Sequence, residues 1–395
     1  MHLSSIRMTK RVSQAMDLCL LNNDIPFDVL SRLPADKLLQ LKRVSKQWQN
    51  FITDPDFQRI QMNISPPISI SGYFFQERYE YSEVDVDKLC YIPLAVQKTK
   101  IYQNVLDFLP EKVTILASSN GLICCRSCNP SADPFLYVCN PANKEFVKLK
   151  WDNFQRRDQI AFSFEPHSTS LINAARDYKL VKVFETVDLI EGKEELFFGF
   201  GIYDWEKKKW VKSKELCQSE DSLCSNKRVI LKGILYCLTD GFELVTFDID
   251  NELSFMISLP LSLTDNNGPE ICLGESEGVL HCVVVSTDAL QVWALVDRFT
   301  SKWDLRDFIS FEAMEEKNPE YFRNLVERVT KFTWMHLLAF KEGNLFLRVS
   351  NSAFSLEIQS RNMRLLCSIT DLGRQVFIAP TVIPYSISLA PLANY

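Results

Sequence analysis

The sequence predicts a mainly β protein with a small α-helical module near its start. Two observations predict this class. Between about Leu21 and Met62, apolar residues recur at the spacing of short amphipathic helices. From Ile68 onward, β-branched and aromatic residues occur in short runs separated by turn residues, as in many short strands. A chain of 395 residues has room for one small module and one large domain.

The first predicted helix starts after a polar cap. Asn23 or Asp24 can accept hydrogen bonds from the first free N–H groups, and Pro26 falls in the first turn, where its missing N–H costs little. The helix is predicted to end near Leu33-Pro34, because a proline moves the preceding residue out of the α conformation.

Two more helices are predicted to follow. The second begins near Asp36 and carries one apolar stripe formed by Leu38, Leu41 and Val44. Ser45 is a suitable cap for the third, which carries Trp48, Phe51 and Ile52 and ends at the turn 53–56. Three helices this short bury little apolar surface. We therefore expect the module to complete its core against a partner or the following domain.

The β region contains a repeat that favours a propeller. Glycine opens a strand in each copy, and the copies begin at Gly121, Gly233, Gly278 and Gly343, with a half-copy at Gly201. Each glycine permits a tight hairpin or a bulge, and a tryptophan late in the copy, as at Trp210 and Trp303, is expected to fill the wedge between sheets. The 331 residues after position 64 accommodate six or seven kelch-like blades of about 45–50 residues. An internally repeated β-sandwich is the alternative.

Two segments interrupt this pattern. Residues 304–332 have a helical composition and are predicted to be an insertion between strands. The acidic run from Glu191 to Glu195, broken by Gly192 and Lys193, is predicted to form the tip of a hairpin.

Charge and hydropathy exclude several classes of protein. The net charge is −6, so the chain lacks the basic footprint of a nucleic-acid-binding protein. A local basic cluster, predicted to be a solvated helix face, contains Lys37, Lys42, Arg43 and Lys46. No apolar run approaches the roughly 20 residues that cross a bilayer, and the first residues do not form a signal peptide. We expect a cytoplasmic or nuclear protein that binds neither membrane nor nucleic acid.

No residues form a recognisable catalytic or metal site. The twelve cysteines are expected to be reduced, and several lie in apolar strands, where a free cysteine behaves as a small hydrophobe. Cys124, Cys125 and Cys128 have no second ligand pair at zinc-site spacing. His281 and His336 also lie in apolar runs, and nucleophile, phosphate-loop and metalloprotease motifs are missing. We expect no cofactor, no metal and no enzymatic activity.

The helical module resembles the F-box. The resemblance runs without gaps from Asn22 to Ile52 and includes Asp24, the pair Val29-Leu30, Leu33-Pro34 and the run Val44-Ser45-Lys46-Gln47-Trp48. There are two departures. Leu21-Asn22 replaces the leading Leu-Pro, and Pro26 stands where an aliphatic residue is usual.

The rest of the chain is similar to the F-box-associated, kelch-like region of plant F-box proteins. The similar phrases are 118–124 (SSNGLIC), 138–142 (VCNPA) and 273–281 (LGESEGVLH). The resemblance divides the chain into a flexible N-terminus at 1–20, an F-box at 21–64 and a β-propeller at 65–395.

The resemblance implies the substrate receptor of an SCF-type (Skp-cullin-F-box) ubiquitin ligase. The F-box would bind a Skp-type adaptor, which joins a cullin and a RING subunit, and the propeller would bind a protein target. The residues expected to form or support the adaptor face are Leu21, Ile25, Val29, Leu30, Leu33, Pro34, Leu38, Leu41, Val44 and Trp48. For Leu41 and Trp48, packing within the module is an equal alternative.

Two other functions stay open at this point. The propeller could bind a small molecule or a glycan, with the F-box coupling it to the ligase, or it could be an enzyme that carries an F-box. A deep polar pocket with convergent aromatic residues would favour a small ligand, whereas a broad shallow surface would favour a protein.

Overall fold

The structure is a computed structural model. It describes residues 24–64, 69–76, 89–94, 101–103, 105–128, 134–151, 158–165, 177–190, 192–260, 270–321, 335–372 and 381–392. For residues 24–26 and 226 it describes the backbone alone. The predicted flexible N-terminus at 1–20 and Leu21 lie outside these residues.

Residues 24–64 form four helices instead of the three predicted. They are α1 (Asp24–Ser31), α2 (Ala35–Leu41), α3 (Lys46–Ile52) and α4 (Pro55–Ile64). Ser45 caps α3 as predicted, since its side chain accepts a 3.2 Å hydrogen bond from the N–H of Trp48. The prediction of a simple turn at 53–56 was wrong. Asp54 Oδ1 accepts from the N–H groups of Asp56 and Phe57, and Pro55 occupies the first position of α4, where proline is favourable.

The remaining described chain is mainly strand. The strands are β1 (Gly72–Gln76), β2 (Leu89–Pro93), β3 (Tyr102–Gln103), β4 (Val113–Ser119), β5 (Leu122–Ser127), β6 (Phe135–Asn140), β7 (Glu145–Lys150), β8 (Gln159–Phe164), β9 (Tyr178–Ile190), β10 (Lys193–Asp204), β11 (Lys209–Ser219), β12 (Leu223–Leu231), β13 (Ile234–Thr239), β14 (Glu243–Asp248), β15 (Leu253–Ser258), β16 (Ile271–Ser276), β17 (Val279–Val285), β18 (Ala289–Asp297), β19 (Lys302–Ser310), β20 (Met335–Lys341), β21 (Asn344–Val349), β22 (Ser352–Glu357), β23 (Asn362–Ser368) and β24 (Thr381–Tyr385). Two short helices, α5 (Phe311–Lys317) and α6 (Ile369–Leu372), follow β19 and β23.

The strands form antiparallel units of four around a ring. Four sheets have the orders β24-β1-β2-β3, β4 to β7, β8 to β11 and β12 to β15. In the fifth sheet, of eight strands, the units β16–β19 and β20–β23 are joined by parallel pairing of Gly274 with Phe340 and Glu275 with Lys341. The innermost strands contact one another in the ring order β4, β8, β12, β16, β20, β24 and back to β4. This is the arrangement of a β-propeller, and it excludes the two-layer sandwich.

One unit combines strands that are distant in sequence. Strand β24 pairs with β1 over the full length of both, from Gly72 opposite Tyr385 to Gln76 opposite Thr381. The pairing closes the ring, because β24 also contacts β20 and β4 on either side. Closure gives every innermost strand a neighbouring unit on both sides.

The predicted repeat of glycines corresponds to one tight turn repeated in four units. A two-residue turn joins the first strand to the second, and both of its residues have positive φ, as in type I′ hairpins. The four turns are Asn120-Gly121, Lys232-Gly233, Glu277-Gly278 and Glu342-Gly343. The prediction of a tight hairpin at these glycines is therefore confirmed.

Tryptophan side chains join neighbouring units, as predicted. The indole N–H of Trp210 in β11 donates to the main-chain oxygen of Lys150 at 3.3 Å, and Trp303 in β19 donates to Ser258 at 3.0 Å. In each case donor and acceptor belong to successive units. These side chains occupy the wedge between outer strands.

The predicted helical insertion is only partly correct. Residues 302–310 form β19, and the helix α5 covers Phe311–Lys317, whereas 322–334 lie outside the described residues. The strand forms because 302–310 pair with β18, which overrides the local helical composition. In the described part of the chain, no helix is both long enough and apolar enough to cross a membrane.

Candidate interaction site of the helical module

The ten residues predicted for the adaptor face fall into several groups. Leu30 and Leu38 are buried, whereas Val29 and Val44 are 54% and 66% exposed. Pro34 is also exposed. The partly buried group contains Leu33, Leu41 and Trp48. Ile25 belongs to α1, but its side chain is not described, and Leu21 is outside the described residues.

The buried residues support the surface from within. Leu30 and Leu38 pack in a core with Ile52 and Phe57, so they are not available to contact a partner directly. Three phenylalanines add an aromatic cluster, with ring centroids 5.9 Å apart for Phe27 and Phe51, and 4.6 Å for Phe51 and Phe57. The cluster was not predicted, because Phe57 lies in α4, the helix that the sequence analysis missed.

Buried glutamines fix α4 to the rest of the module. The Nε2 of Gln61 donates to the main-chain oxygen of Leu33 at 2.9 Å, and the Nε2 of Gln58 donates to that of Ile52 at 3.1 Å. Both side chains are almost completely buried. Losing either bond would leave a buried carbonyl oxygen unsatisfied, so α4 sets the position of the loop that carries Leu33 and Pro34.

Two valines of the module are exposed to solvent. Val29 lies on α1 and Val44 lies in the loop between α2 and α3. Close by in sequence, Arg32 forms a 2.9 Å ion pair with Asp28, and both side chains are largely exposed. Exposed aliphatic side chains can serve as anchors of a protein contact, where a few apolar residues carry most of the affinity.

The predicted solvation of the basic cluster is correct for three of its four residues, but these do not lie on one helix, since α2 ends at Leu41 and α3 begins at Lys46. Lys37, Arg43 and Lys46 are exposed. Lys42 is half-buried, and its Nζ donates to Asn143 Oδ1 at 3.3 Å. Burial lowers the pKa of Lys42, and the nearby Glu145 carboxylate opposes that shift. Lys42 therefore connects the helices to the β6–β7 loop and does not belong to the solvated face.

A segment from the other end of the sequence completes the module's core. Residues 386–392, hereafter the clasp, follow β24, and the side chain of Leu389 is 0% exposed within the cluster that contains Leu30 and Leu38. Ile387 packs against the same cluster. The expectation that the module completes its core against the following domain is confirmed, since the clasp belongs to the β region of the chain.

Two asparagines hold the clasp on the unit β4–β7. Asn140 is fully buried, and its Nδ2 donates to the main-chain oxygens of Ser388 at 3.1 Å and Ala390 at 2.8 Å. The Nδ2 of Asn143 donates to the main-chain oxygen of Leu389 at 3.2 Å. Asn143 thus contacts both the clasp and Lys42 of the helical module. The module is fixed to the end of the ring that carries the β4–β5 turn and the β6–β7 loop.

Burial shifts the pKa of several titratable groups in the β region. Burial lowers the pKa of His281, whose Nδ1 lies 3.0 Å from the main-chain oxygen of Val279, and it also lowers the pKa of His336. Burial raises the pKa of the Cys124 and Cys125 thiols well above the ordinary value. Neutral thiols are poor metal ligands, and no cluster suited to a metal ion occurs within the described ranges.

Comparison with known families gives two matches. A model described as "F-box protein At3g26010-like, beta-propeller" matches residues 96–326, which is more than half of the chain. A model described as "F-box domain" matches residues 18–60. The second match covers α1 to α3 and most of α4, and the first covers the strands from β3 to β19.

Individual proteins also resemble the chain. The Arabidopsis thaliana F-box protein At5g49610 is 26% identical over 315 residues, which cover 76% of this chain and 82% of that protein. The F-box protein At5g07610 from the same plant is 24% identical and covers 89% of this chain and 86% of its own length. Among solved structures, the Cps50 (Swd1) beta-propeller domain of Myceliophteria thermophila is 10% identical, with a TM-score of 0.37, and covers 78% of this chain and 90% of that domain.

Proposed function

Because the chain belongs to the plant F-box proteins with an At3g26010-like beta-propeller, we propose that it is the substrate-recognition subunit of an SCF-type ubiquitin ligase. The observation that carries the proposal is the position of the F-box helices. They are fixed by Leu389, Asn143 and Lys42 to one end of the ring, and Val29 and Val44 are left exposed. Such a chain can connect an adaptor at one end with a target at the other.

In this proposal some residues of the adaptor face contact the adaptor, and others hold the contacting residues in place. Val29, Pro34 and Val44 contact the Skp-type adaptor, together with the accessible parts of Leu33, Leu41 and Trp48. Leu21 and Ile25 extend the face at its N-terminal side. Leu30 and Leu38 hold the helices in position from the core. The adaptor then joins the chain to a cullin and a RING subunit.

The β region is proposed to be a propeller of six kelch-like blades, with each four-stranded unit counted as one blade. The proposed boundaries are 21–64 for the F-box and 65–395 for the propeller. The receptor is non-catalytic and needs no cofactor, since binding of a protein target requires only a complementary surface. We propose that it acts in the cytoplasm, the nucleus or both.

The test is recovery of a Skp-type adaptor with the full chain and with surface variants. Val29→Asp and Val44→Asp each place a charge on the proposed adaptor face, and we expect each to weaken adaptor binding at least about tenfold. Replacing Leu33-Pro34 with charged residues is expected to abolish recovery while the propeller stays folded. The matched control is Val296→Asp, which alters an exposed valine of β18 in another part of the ring.

The outcome can contradict the proposal in two ways. Recovery of no adaptor with the wild-type chain would remove the ligase function. Equal recovery with Val44→Asp, Val29→Asp and Val296→Asp would show that the adaptor binds elsewhere. Activity on a small substrate in the absence of adaptor and cullin would favour an enzyme.

A further inference from the structure

One hairpin extends beyond the sheet to which it belongs. Strands β9 and β10 contain 13 and 12 residues and pair with each other from Lys193 opposite Ile190 to Ile202 opposite Val181. The β8 partner of β9 reaches only to Val183, and the β11 partner of β10 reaches only to Leu196. Within the described residues, 187–190 and 193–195 therefore pair only with each other. These residues are called the overhang below.

The overhang projects from the end of the ring opposite the F-box. In an antiparallel unit, the connections from first to second strand and from third to fourth lie at one end, and the second-to-third connection lies at the other. The F-box and the clasp contact the β4–β5 turn at Gly121 and the β6–β7 loop at Asn143. The β9–β10 turn is a second-to-third connection. A target bound at the overhang would therefore be separated from the adaptor by the length of the ring.

One face of the overhang carries an apolar strip that the described residues leave exposed. Val187 is 59% exposed and Leu189 is 69% exposed, although apolar residues of this size are usually covered. Side chains of directly opposite residues point to the same face, and Val187 is opposite Leu196. The exposed strip therefore consists of Val187 and Leu189, with Glu194 opposite Leu189 at its tip. At its base the strip is continuous with Leu196, which is partly buried against the core.

The strip faces the neighbouring unit, whose loops at this end of the ring carry acidic side chains. Glu185 lies on the same strand face, two residues before Val187, and its Oε1 accepts a 3.1 Å hydrogen bond from the N–H of Leu223 at the start of β12. The loops beside β12 carry the exposed carboxylates of Glu220, Asp221 and Asp240. A 2.8 Å bond from the N–H of Asp240 to Ser222 holds these loops together.

The charges of this region favour a cationic partner. Glu194, Glu220, Asp221 and Asp240, hereafter the acidic rim, form no ion pair within the part of the chain that the structure describes. Lys193 is one exposed cation at the tip. A second copy of this chain would bring two acidic rims together, which like-charge repulsion disfavours. A partner with lysine or arginine between its apolar residues satisfies both the strip and the rim.

We propose that the overhang and the acidic rim bind an extended segment of the target protein in which aliphatic and basic residues alternate. Aliphatic side chains of the segment cover Val187 and Leu189, and its cations meet Asp221, Asp240 and Glu194. The proposal rests on the proposed function in one respect, since it assumes that the propeller recruits a protein. It assigns the chemical class of that protein's recognition segment.

The test uses the full chain and a fluorescein-labelled peptide of about twelve residues that contains leucine and lysine separated by serine. We expect measurable binding by fluorescence anisotropy, weakened by salt, and at least about fivefold weaker binding when glutamate replaces lysine. Leu189→Ser and the double variant Asp221→Asn, Asp240→Asn should each raise Kd at least about fivefold. Leu253→Ser, at a comparably exposed leucine of β15, is the matched control.

Three results would overturn the inference. The first is an equal Kd for Leu189→Ser and Leu253→Ser, and the second is equal Kd values for the lysine and glutamate peptides. The third is a wild-type dimer that Leu189→Ser abolishes, which would assign the strip to a second copy of the chain. Adaptor recovery is measured on the same samples and should be unchanged in Leu189→Ser. Failure of adaptor binding in wild type would overturn the proposed function, whereas peptide binding reports on the overhang alone.

Discussion

The side-chain amide of Asn140 donates a 2.8 Å hydrogen bond to the main-chain oxygen of Ala390, 250 positions later in the sequence. Both residues are fully buried. The bond joins the third strand of one propeller unit to the clasp, and the clasp in turn carries Leu389 into the F-box core. The F-box and the propeller are therefore connected by a shared buried structure in addition to the chain that links them.

Replacing Asn140 with alanine should lower the free energy of unfolding by about 2–4 kcal/mol. The variant loses two bonds to the clasp and a 2.9 Å bond from the N–H of Ala142 to Oδ1, and it leaves buried carbonyl oxygens unsatisfied. Urea unfolding measures the change. The control is Asn251→Ala in an exposed loop, where the expected change is within about 0.5 kcal/mol. Similar changes in the two variants would contradict the structural role of Asn140.

Leu389→Ala should destabilise the F-box in particular. Removal of a fully buried leucine costs about 2–5 kcal/mol, and here the cavity opens between the helices. Amide hydrogen exchange should become at least about tenfold faster at Leu38 and Ile52, while exchange at Leu235 in β13 stays unchanged. Leu253→Ala, at an exposed position, serves as the control. Unchanged exchange in α2 and α3 would show that the clasp does not support the F-box.

Two glycines with the same backbone conformation should differ in their tolerance of alanine. Gly343 has φ +70 and nothing within 4 Å of an added Cβ, so Gly343→Ala should cost about 1–2 kcal/mol from backbone strain. Gly121 has φ +87, and an added Cβ would lie 2.1 Å from the Cβ of Ser388 in the clasp. Gly121→Ala should therefore cost at least about 1 kcal/mol more. Equal unfolding free energies of the two variants would contradict the tight approach of the clasp.

Stability should fall in alkaline solution. Burial raises the pKa of the Cys237 and Cys272 thiols from 9.0 to about 12. The unfolded chain loses these protons first, so the stabilisation present below pH 9 is lost progressively as pH rises from about 9 to about 12. Each thiol contributes a slope of about 1.4 kcal/mol per pH unit in that window.

Cys237→Ala tests this by removing one titrating group. The slope of unfolding free energy against pH between about 9.5 and 10.5 should become shallower by about 1.4 kcal/mol per unit, whatever the variant's stability at neutral pH. Urea midpoints across the pH series give the slope. An unchanged slope would mean that the Cys237 thiol ionises equally in the folded and unfolded states.

Much of the local structure follows from the sequence because it depends on neighbouring residues. Ser45 caps α3, and the repeated glycines form turns that need positive φ. Helix α4 was missed although the same reasoning applies to it. Asp54 is a cap and Pro55 is suited to the first helical position, but the run was read as a turn that ends α3.

The contacts between distant segments could not be predicted. Asn140 and Asn143 bond to main-chain oxygens of the clasp, and such bonds require no particular side chain in residues 388–390. Leu189 and Val187 are residue types that usually occupy buried positions in strands. They are exposed because the pairing with β8 and β11 ends before it reaches them. The sequence assigned Leu30 and Leu38 to the predicted adaptor face. Only the packing of the helices shows that both side chains are buried.

The clasp also determines when the F-box can finish folding during synthesis. Leu30 and Leu389 share one core, and the ribosome adds 358 residues between them. Nascent helices α1 to α4 therefore emerge long before the residue that fills their core is made. At about 5–20 residues per second, the delay lasts tens of seconds. During that time the apolar face of the helices is available to chaperones or to a free adaptor, and a ribosome that stalls before residue 389 releases a chain whose F-box core is incomplete.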